Sequence, residues 1–263
     1  MAEPWFATAF GAHYQALYAH RDGAEAARCL ALLGGAGLLH APILDLGCGD
    51  GRHLAALPAG AAALGLDYSA DLLAAARDAL PSAALVRGDM RCLPLADRSV
   101  STVLSLFTAF GYFGSDRENE RPAAEAARVL RRGGHWCLDL FDGDRLRHEL
   151  GDGRPRPRQR SSGPLQVDEV RRFDPATATV RKEVRVCALE GCAAAAAALG
   201  IGPDGLAYAE EVRVYALAEL DELAGRHGLV RVAAWGGYGG EALGAGERWL
   251  LVYRRRTSAE AAP

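Results

Sequence analysis

Three short stretches of the chain hold residue types that could do chemistry. In Asp45-Leu-Gly-Cys-Gly-Asp-Gly51, three glycines stand where an apolar run gives way to a helical pattern. Gly47, Gly49 and Gly51 would let main chain approach a ligand closely, and the next helix offers unpaired N–H groups at its first turn. A tight strand-to-helix turn with no ligand would use the same residues. Asp67 follows Gly49 by eighteen residues, in Leu64-Gly-Leu-Asp-Tyr-Ser. A carboxylate there can accept from both hydroxyls of a ribose. Its alternative use is as a helix N-terminal charge, which Ser69 and Asp71 already supply. In Gly88-Asp89-Met90 the carboxylate can accept from an adenine amino group while the thioether packs on the ring, or the three may form an ordinary turn. A dinucleotide fingerprint needs glycine at position 52, where the chain has Arg52, so room for a pyrophosphate is not provided.

The elements that must position these groups alternate between strands and helices. Strands are expected at 43–46, 62–66, 83–87, 100–106 and 135–140, with helices at 52–57, 69–80 (capped by Ser69) and 118–130. Such alternation implies right-handed βαβ units on a mostly parallel sheet. Phe6, Phe10, Tyr14, Leu17 and Tyr18 recur at helical spacing and predict one N-terminal helix; a second is expected at 23–33. Residues 142–164 are rich in Gly, Pro and Arg and read as a mobile connection. Strands at 166–173, 179–187 and 207–214 follow, and the run Ala193–Ala198 fits either a loop or a short helix. A helix at 218–226 and strands at 229–235 and 248–254 close the chain, before a tail at 258–263 that reads as disordered. The expectation is a single α/β domain over 1–263: a helical lid (1–40), a cofactor-binding core (41–141), an inserted antiparallel layer (145–215), and a C-terminal helix with the last two strands (216–256). Seven strands, mostly parallel and Rossmann-like with helices on both faces, would form the main sheet. The inserted layer would lie over the carboxyl ends of the parallel strands, where doubly wound sheets bind ligands.

Composition narrows the partners. Half of the 263 residues are hydrophobic and the formal net charge is −3, so nothing in the overall charge calls for nucleic acid or an anionic membrane. No Asn/Asp-Pro-Pro-aromatic motif points to a nucleic-acid substrate, although the Arg154–Arg160 cluster keeps one in view. Lys182 is the only lysine. The six cysteines form no C-x-x-C pair, and neither a zinc site nor a disulfide framework is suggested. Met1–Phe6 lacks the pattern of a secretion signal, and no apolar run reaches the roughly 20 residues that span a bilayer. These features fit a soluble cytoplasmic protein, monomeric or homodimeric.

The string Ile43-Leu-Asp-Leu-Gly-Cys-Gly-Asp-Gly-Arg-His resembles the first motif of class I S-adenosylmethionine-dependent methyltransferases. Asp67-Tyr-Ser, Gly88-Asp-Met-Arg and Arg128-Val-Leu-Arg-Arg-Gly-Gly-His are similar to the later motifs, in order and spacing. Phe107-Thr-Ala-Phe-Gly-Tyr-Phe resembles the segment after the fourth strand in a bacterial subgroup that acts on small molecules or peptides. Tyr14-x-x-x-Tyr18, Val212-Arg-Val-Tyr215 and Gly236-Gly-Tyr-Gly-Gly fit that subgroup too. Two departures stand out: Arg132-Gly-Gly replaces the usual Pro-Gly-Gly, and the Ala193–Ala198 run lengthens a normally short turn.

The resemblance implies S-adenosylmethionine as methyl donor and S-adenosylhomocysteine as product. It places Gly47, Gly49 and Gly51 against the methionine and ribose, Asp45 near the amino group and Asp67 on the ribose. It places Tyr68 beside the adenine with Asp89 and Met90, and the Leu106 carbonyl at the ammonium. Tyr14 and Tyr18 would form a lid, with helix packing as their other reading. The acceptor, through N or O and less readily C, would be a small molecule or peptide. Phe107, Phe110, Tyr112, Arg213, Tyr215 and Tyr238 are the candidates for its pocket. No base is assigned; His13, His53 and Glu211 are candidates that also fit structural or surface roles. A cofactor-binding protein without transferase activity, and a nucleotide-dependent oxidoreductase, are the competing functions.

Overall fold

The computed structural model describes residues 4–11, 13–18 and 23–260. Residues 1–3, 12 and 19–22 of the expected lid lie outside the described residues, as does the end of the tail at 261–263. The chain opens on two short helices, α1 (Trp5–Ala9) and α2 (Tyr14–Leu17), then α3 (Gly23–Gly35). The single N-terminal helix expected from the spacing is therefore corrected: α1 stops at Phe10, which leaves helical geometry just before Gly11. The break turns the aromatic residues of α1 and α2 toward one space.

The core follows as β1 (Ile43–Leu46), α4 (Arg52–Ala56), β2 (Ala63–Asp67), α5 (Ala70–Ala79), β3 (Ala84–Arg87), β4 (Val100–Ser105), α6 (Asp116–Val129) and β5 (Leu130–Phe141). Every residue of β1 is buried, as befits a strand covered on both faces. The Ser69 hydroxyl accepts from Leu72 N at 3.1 Å and starts α5, which its sequence predicts.

Next come α7 (Gly143–Leu150), β6 (Arg156–Ser162), β7 (Leu165–Asp174), β8 (Thr179–Ala188), α8 (Ala193–Ala198) and β9 (Leu206–Arg213). The stretch 142–164 is not the open connection its composition suggests. Asp142 caps α7 by accepting from Arg145 N at 2.9 Å. Pro157 lies within β6, which pairs only with β7 at the edge of its sheet, and an edge is where proline is tolerated. The alanine run resolves as helix, with Ala196 fully buried against β7 and β8 residues. The chain ends on α9 (Leu217–Arg226), β10 (Leu229–Trp235) and β11 (Arg248–Arg255).

Two sheets result. The seven-stranded sheet has the order β10-β11-β5-β4-β1-β2-β3. β3, β2, β1, β4 and β5 are parallel, while β11 runs antiparallel to both β5 and β10. Strand order reverses between β1 and β4, so a crevice opens beyond their carboxyl ends. One face packs Trp136, Tyr253 and Phe110 against α6 and α9; the other packs Leu30 and Leu33 of α3 against Ile43, Leu104 and Val252.

The second sheet, β6-β7-β8-β9, is antiparallel throughout. It meets the crevice in two places. Arg213 N donates to the Gly111 carbonyl at 2.7 Å, just past β4. Leu17 and Tyr18 of the α2 region share an apolar cluster with Leu165, Val167, Val184 and Val186. Ser162 Oγ also donates to the Ala16 carbonyl at 2.6 Å. The insertion thus carries the α2 segment on its surface.

Candidate active site

The glycine loop is the floor of a cavity of about 310 Å³ at the crevice. Gly47 N and Cys48 N both donate to the Leu66 carbonyl, at 2.8 and 3.1 Å, fixing the loop to β2. Gly47 has φ +80°, and a Cβ there would come within 2.9 Å of the Ala109 Cβ. Only glycine fits this site, through both its left-handed backbone and the closeness of Ala109. Gly49 N donates to Asp67 Oδ2 and Ser69 N to Asp67 Oδ1, both at 2.8 Å. Asp67 therefore ties the loop to the start of α5, and each oxygen keeps lone-pair capacity for a ligand. Burial pushes its carboxyl above the usual range despite these donors. Gly51, unlike Gly47 and Gly49, does not line the cavity. It has φ +82°, and a Cβ would meet Leu80 Cδ1 at 3.0 Å; it lets α4 lie close to α5.

Asp45, two residues before Gly47, is 1% exposed and its Oδ2 has no hydrogen-bond partner. Burial, then the neighbouring charge of Asp67, raises this carboxyl to about 7. An orphaned buried acceptor is expensive, and beside an open glycine cradle it fits a cationic ligand group.

On the third-strand side, Asp89, Met90 and Tyr68 line the cavity. Asp89 is spent on Arg91, whose Nε and Nη2 donate at 3.0 and 2.7 Å and whose main-chain N donates at 2.8 Å. Burial acts to raise the Asp89 carboxyl, but these donors hold it below its ordinary value. An adenine amino group would have to share Asp89 with this clamp. Arg91 also pairs with Glu118 at 2.7 Å and lies 4.4 Å over the Phe113 ring.

Leu106 and Phe107 close the β4 side. Phe107 is held at φ +59° while its N donates to Asp139 Oδ2 at 2.6 Å. Its ring lies between two guanidiniums, Arg52 at 4.3 Å and Arg248 at 4.7 Å. Tyr238, a candidate for the acceptor pocket, donates its hydroxyl to Asp139 at 2.6 Å and lines neither this cavity nor a neighbouring one of about 520 Å³. It supports the Phe107 turn from below.

The roof is aromatic: Phe6, Phe10, Tyr14 and Tyr18 from the N-terminal segment, Tyr112 and Phe113 from the loop after β4. Phe6 meets Tyr68 edge-on with ring centroids 5.2 Å apart. Lys182 Nζ donates to the Tyr18 hydroxyl at 2.9 Å and pairs with Glu210 at 2.7 Å, so the insertion anchors the roof. Two further candidates for the acceptor pocket are buried away from the cavity. Phe110 is 1% exposed between Trp136 and Tyr215, and Tyr215 is 6% exposed; both belong to the main core. Arg213 misses this cavity but lines a second one of about 520 Å³, which shares Tyr112 and Phe113 with the first.

His53 lines the first cavity, and burial, then the Arg52 charge, depresses it to about 3, so it is neutral. His13 is half-buried away from the cavity with Nε2 unpartnered, and Glu211 belongs to the second cavity. Phe6, Phe10 and Phe113 escaped the sequence reading as site residues; the helical spacing of the first two was their only signal. Among the described residues no cluster of His, Cys, Asp and Glu could hold a metal, all six cysteines are free thiols, and no helix is long and apolar enough to cross a membrane.

Residues 43–134 match the family model described as a methyltransferase domain. Over 94 residues the chain is 40% identical to the dTDP-3-amino-3,4,6-trideoxy-alpha-D-glucopyranose N,N-dimethyltransferase of Streptomyces venezuelae, covering 35% of this chain and 39% of that one. It is 39% identical over 95 residues to the dTDP-3-amino-3,6-dideoxy-alpha-D-glucopyranose N,N-dimethyltransferase of Streptomyces fradiae, covering 35% and 37%. The matched stretch thus spans less than two fifths of these relatives' length. The CcbJ methyltransferase of Streptomyces caelestis has the same fold, with TM-score 0.77 at 20% identity, covering 98% of this chain and 100% of that one. The SAM-bound amino pentose methyltransferase of Micromonospora echinaspora matches with TM-score 0.63 at 23% identity, over 92% and 96%.

Proposed function

We propose that this chain, whose residues 43–134 match a methyltransferase domain, is a class I S-adenosylmethionine-dependent methyltransferase that transfers a methyl group to the amine nitrogen of a small amino sugar. The observation that carries the reading is the floor of the first cavity. An Asp67-pinned glycine loop lines a cavity under an aromatic roof, with the orphaned buried Asp45 directly behind the loop, two residues before Gly47. Those residues fit the methyl donor. Asp67 takes the ribose hydroxyls, Asp45 faces the amino group, and Tyr68 and Met90 flank the adenine. When bound, adenosylmethionine supplies a methyl group made electrophilic by an adjacent sulfonium. The aromatic roof excludes water and presents ring faces to positive charge. The acceptor nitrogen forms its new N–C bond with its lone pair as the C–S bond breaks, and a proton leaves the nitrogen for water. His53, kept neutral by burial, can accept a hydrogen bond from that amine and orient its lone pair.

The choice of nitrogen and of a sugar rests on the two N,N-dimethyltransferases of dTDP-amino sugars among the relatives. The protein works in the cytoplasm, as a monomer or homodimer, in this reading. Calorimetry with S-adenosylhomocysteine and with NAD tests the cofactor: the first should bind and the second should not. Transfer of a radiolabelled methyl group into a panel of free and nucleotide-linked amino sugars tests the reaction. Binding without incorporation into any amine would favour the cofactor-binding protein without transferase activity.

A further inference from the structure

The first cavity is small for a donor and an acceptor together. At about 310 Å³ it lies at the lower end of the range for one drug-sized ligand. The second, of about 520 Å³, lies beyond Tyr112 and Phe113, which wall both. Helix α1 spans the same partition, with Phe6 on one side and Trp5 on the other; Trp5 Nε1 donates to the Tyr112 carbonyl at 3.3 Å. The rest of the second cavity comes largely from β7, β8 and β9, beyond the matched methyltransferase domain.

Its charges are arranged against a polyanion. Three carboxylates, Asp116, Asp174 and Glu211, line it with two guanidiniums, Arg181 and Arg213. Both guanidiniums are already doubly paired. Arg213 reaches Asp116 at 3.0 Å and Glu219 at 3.1 Å; Arg181 pairs with Glu183 and Glu211. The N-terminus of α6 also opens here and could otherwise attract a phosphate. It is capped by Ser115 and carries Asp116 and Glu118 in its first turn. What the cavity offers instead is an aromatic corner, Trp5 and Tyr112 with centroids 5.2 Å apart, and a surplus of carboxylates. Asp174 accepts from Ala176 N at 2.9 Å and Thr177 Oγ1 at 3.0 Å and Glu211 pairs with Arg181, yet each carboxylate oxygen keeps lone pairs for hydroxyl or ammonium donors.

We propose that the second cavity binds the part of the acceptor remote from the reacting nitrogen, and that this part is an uncharged or cationic hydroxylated ring rather than a nucleoside diphosphate. The inference rests on the amino-sugar reading above and narrows it. The acceptor is then a glycoside, its sugar already attached to a larger body. Its ring stacks in the Trp5–Tyr112 corner with hydroxyls on Asp174 and Glu211, and the amine passes the Tyr112–Phe113 wall toward the donor.

The test uses the full chain loaded with S-adenosylhomocysteine and two probes, the methyl glycoside and the dTDP ester of the same 3-amino-3,6-dideoxyglucose. By calorimetry the glycoside should bind at least tenfold more tightly than the dTDP ester, and free dTDP should not compete with it. Gly114→Trp places a ring at this cavity; an added Cβ at Gly114 meets nothing within 4 Å, so the fold should tolerate it. It should weaken glycoside binding at least tenfold and leave adenosylhomocysteine affinity within twofold, which also reports that the variant is folded. Tighter binding of the dTDP ester, binding of neither probe, or a glycoside affinity unmoved by Gly114→Trp overturns the proposal while leaving the methyltransferase reading in place. Failure of adenosylhomocysteine itself to bind would instead sink that reading.

Discussion

The floor and the roof of the first cavity are built by different physics. The floor is main chain held in register: the Leu66 carbonyl takes two amides of the glycine loop and Asp67 takes a third. Its geometry belongs to neighbouring parallel strands. The roof is side chain, drawn from α1, α2 and the loop after β4, and fastened by contacts across more than 100 residues, such as Trp5 to Tyr112 and Tyr18 to Lys182. A floor of this kind serves one invariant ligand; a roof of this kind can be rebuilt for different acceptors without disturbing it.

If that division holds, breaking the roof's anchor should cost stability and acceptor binding but spare the donor. Lys182→Ala leaves Glu210 and the Tyr18 hydroxyl without their cation in a largely buried site. A loss of roughly 2–4 kcal/mol in unfolding free energy is expected for such a broken pair. Denaturant melts measure it, and adenosylhomocysteine affinity should stay within threefold. An equal loss of donor affinity would merge roof and floor into one unit. On the floor, Asp67→Ala should cost about 1.5–3 kcal/mol in donor affinity, the worth of a charged hydrogen-bonding partner. Unchanged affinity in a folded variant would put the ribose elsewhere.

Asp45 sharpens the comparison through pH. With its carboxyl at about 7, protonation on acidification would remove the charge that the proposed function sets against the donor's amino group. Adenosylhomocysteine affinity should fall by about tenfold between pH 8 and pH 6, and Asp45→Asn should bind weakly with little pH dependence across that interval. Stability should respond with the opposite sign. The folded chain holds this proton more tightly than the unfolded one, so the contribution is full at low pH and is lost as pH rises toward 7. The free Asp45→Asn protein should accordingly melt a few degrees higher than wild type at pH 8. The smallest effect is expected at Gly51, which faces α5. Gly51→Ala should destabilise by about 1 kcal/mol through its left-handed backbone while leaving donor affinity unchanged.

The same division explains what could be read from the chain. β1, the glycine loop, Asp67 and the Ser69 cap are local, so residue type and spacing specify them. The roof depends on where a helix breaks and which way a loop turns. Phe10 and Gly11 end α1, and no periodicity marks that end. In Phe107–Phe113, Gly111 takes φ +93° against β9, and the aromatics on its two sides part: Phe110 enters the core while Tyr112 and Phe113 face the cavities. Spacing alone cannot tell these rings apart. Pro155 and Pro157, just before and within β6, misled for a related reason, since they argue against a central strand but not against an edge.

That edge has a consequence for the molecule among its own copies. A four-stranded antiparallel sheet with an open outer strand invites another chain to extend it. Proline persists in a sheet where its missing N–H faces outward, so β6 is short of a donor at Pro157 on its open side. Arg158 stands exposed beside it. Two sheets docked edge to edge here would face a gap in their ladder and two guanidiniums brought together, which opposes extension of the sheet by a second copy.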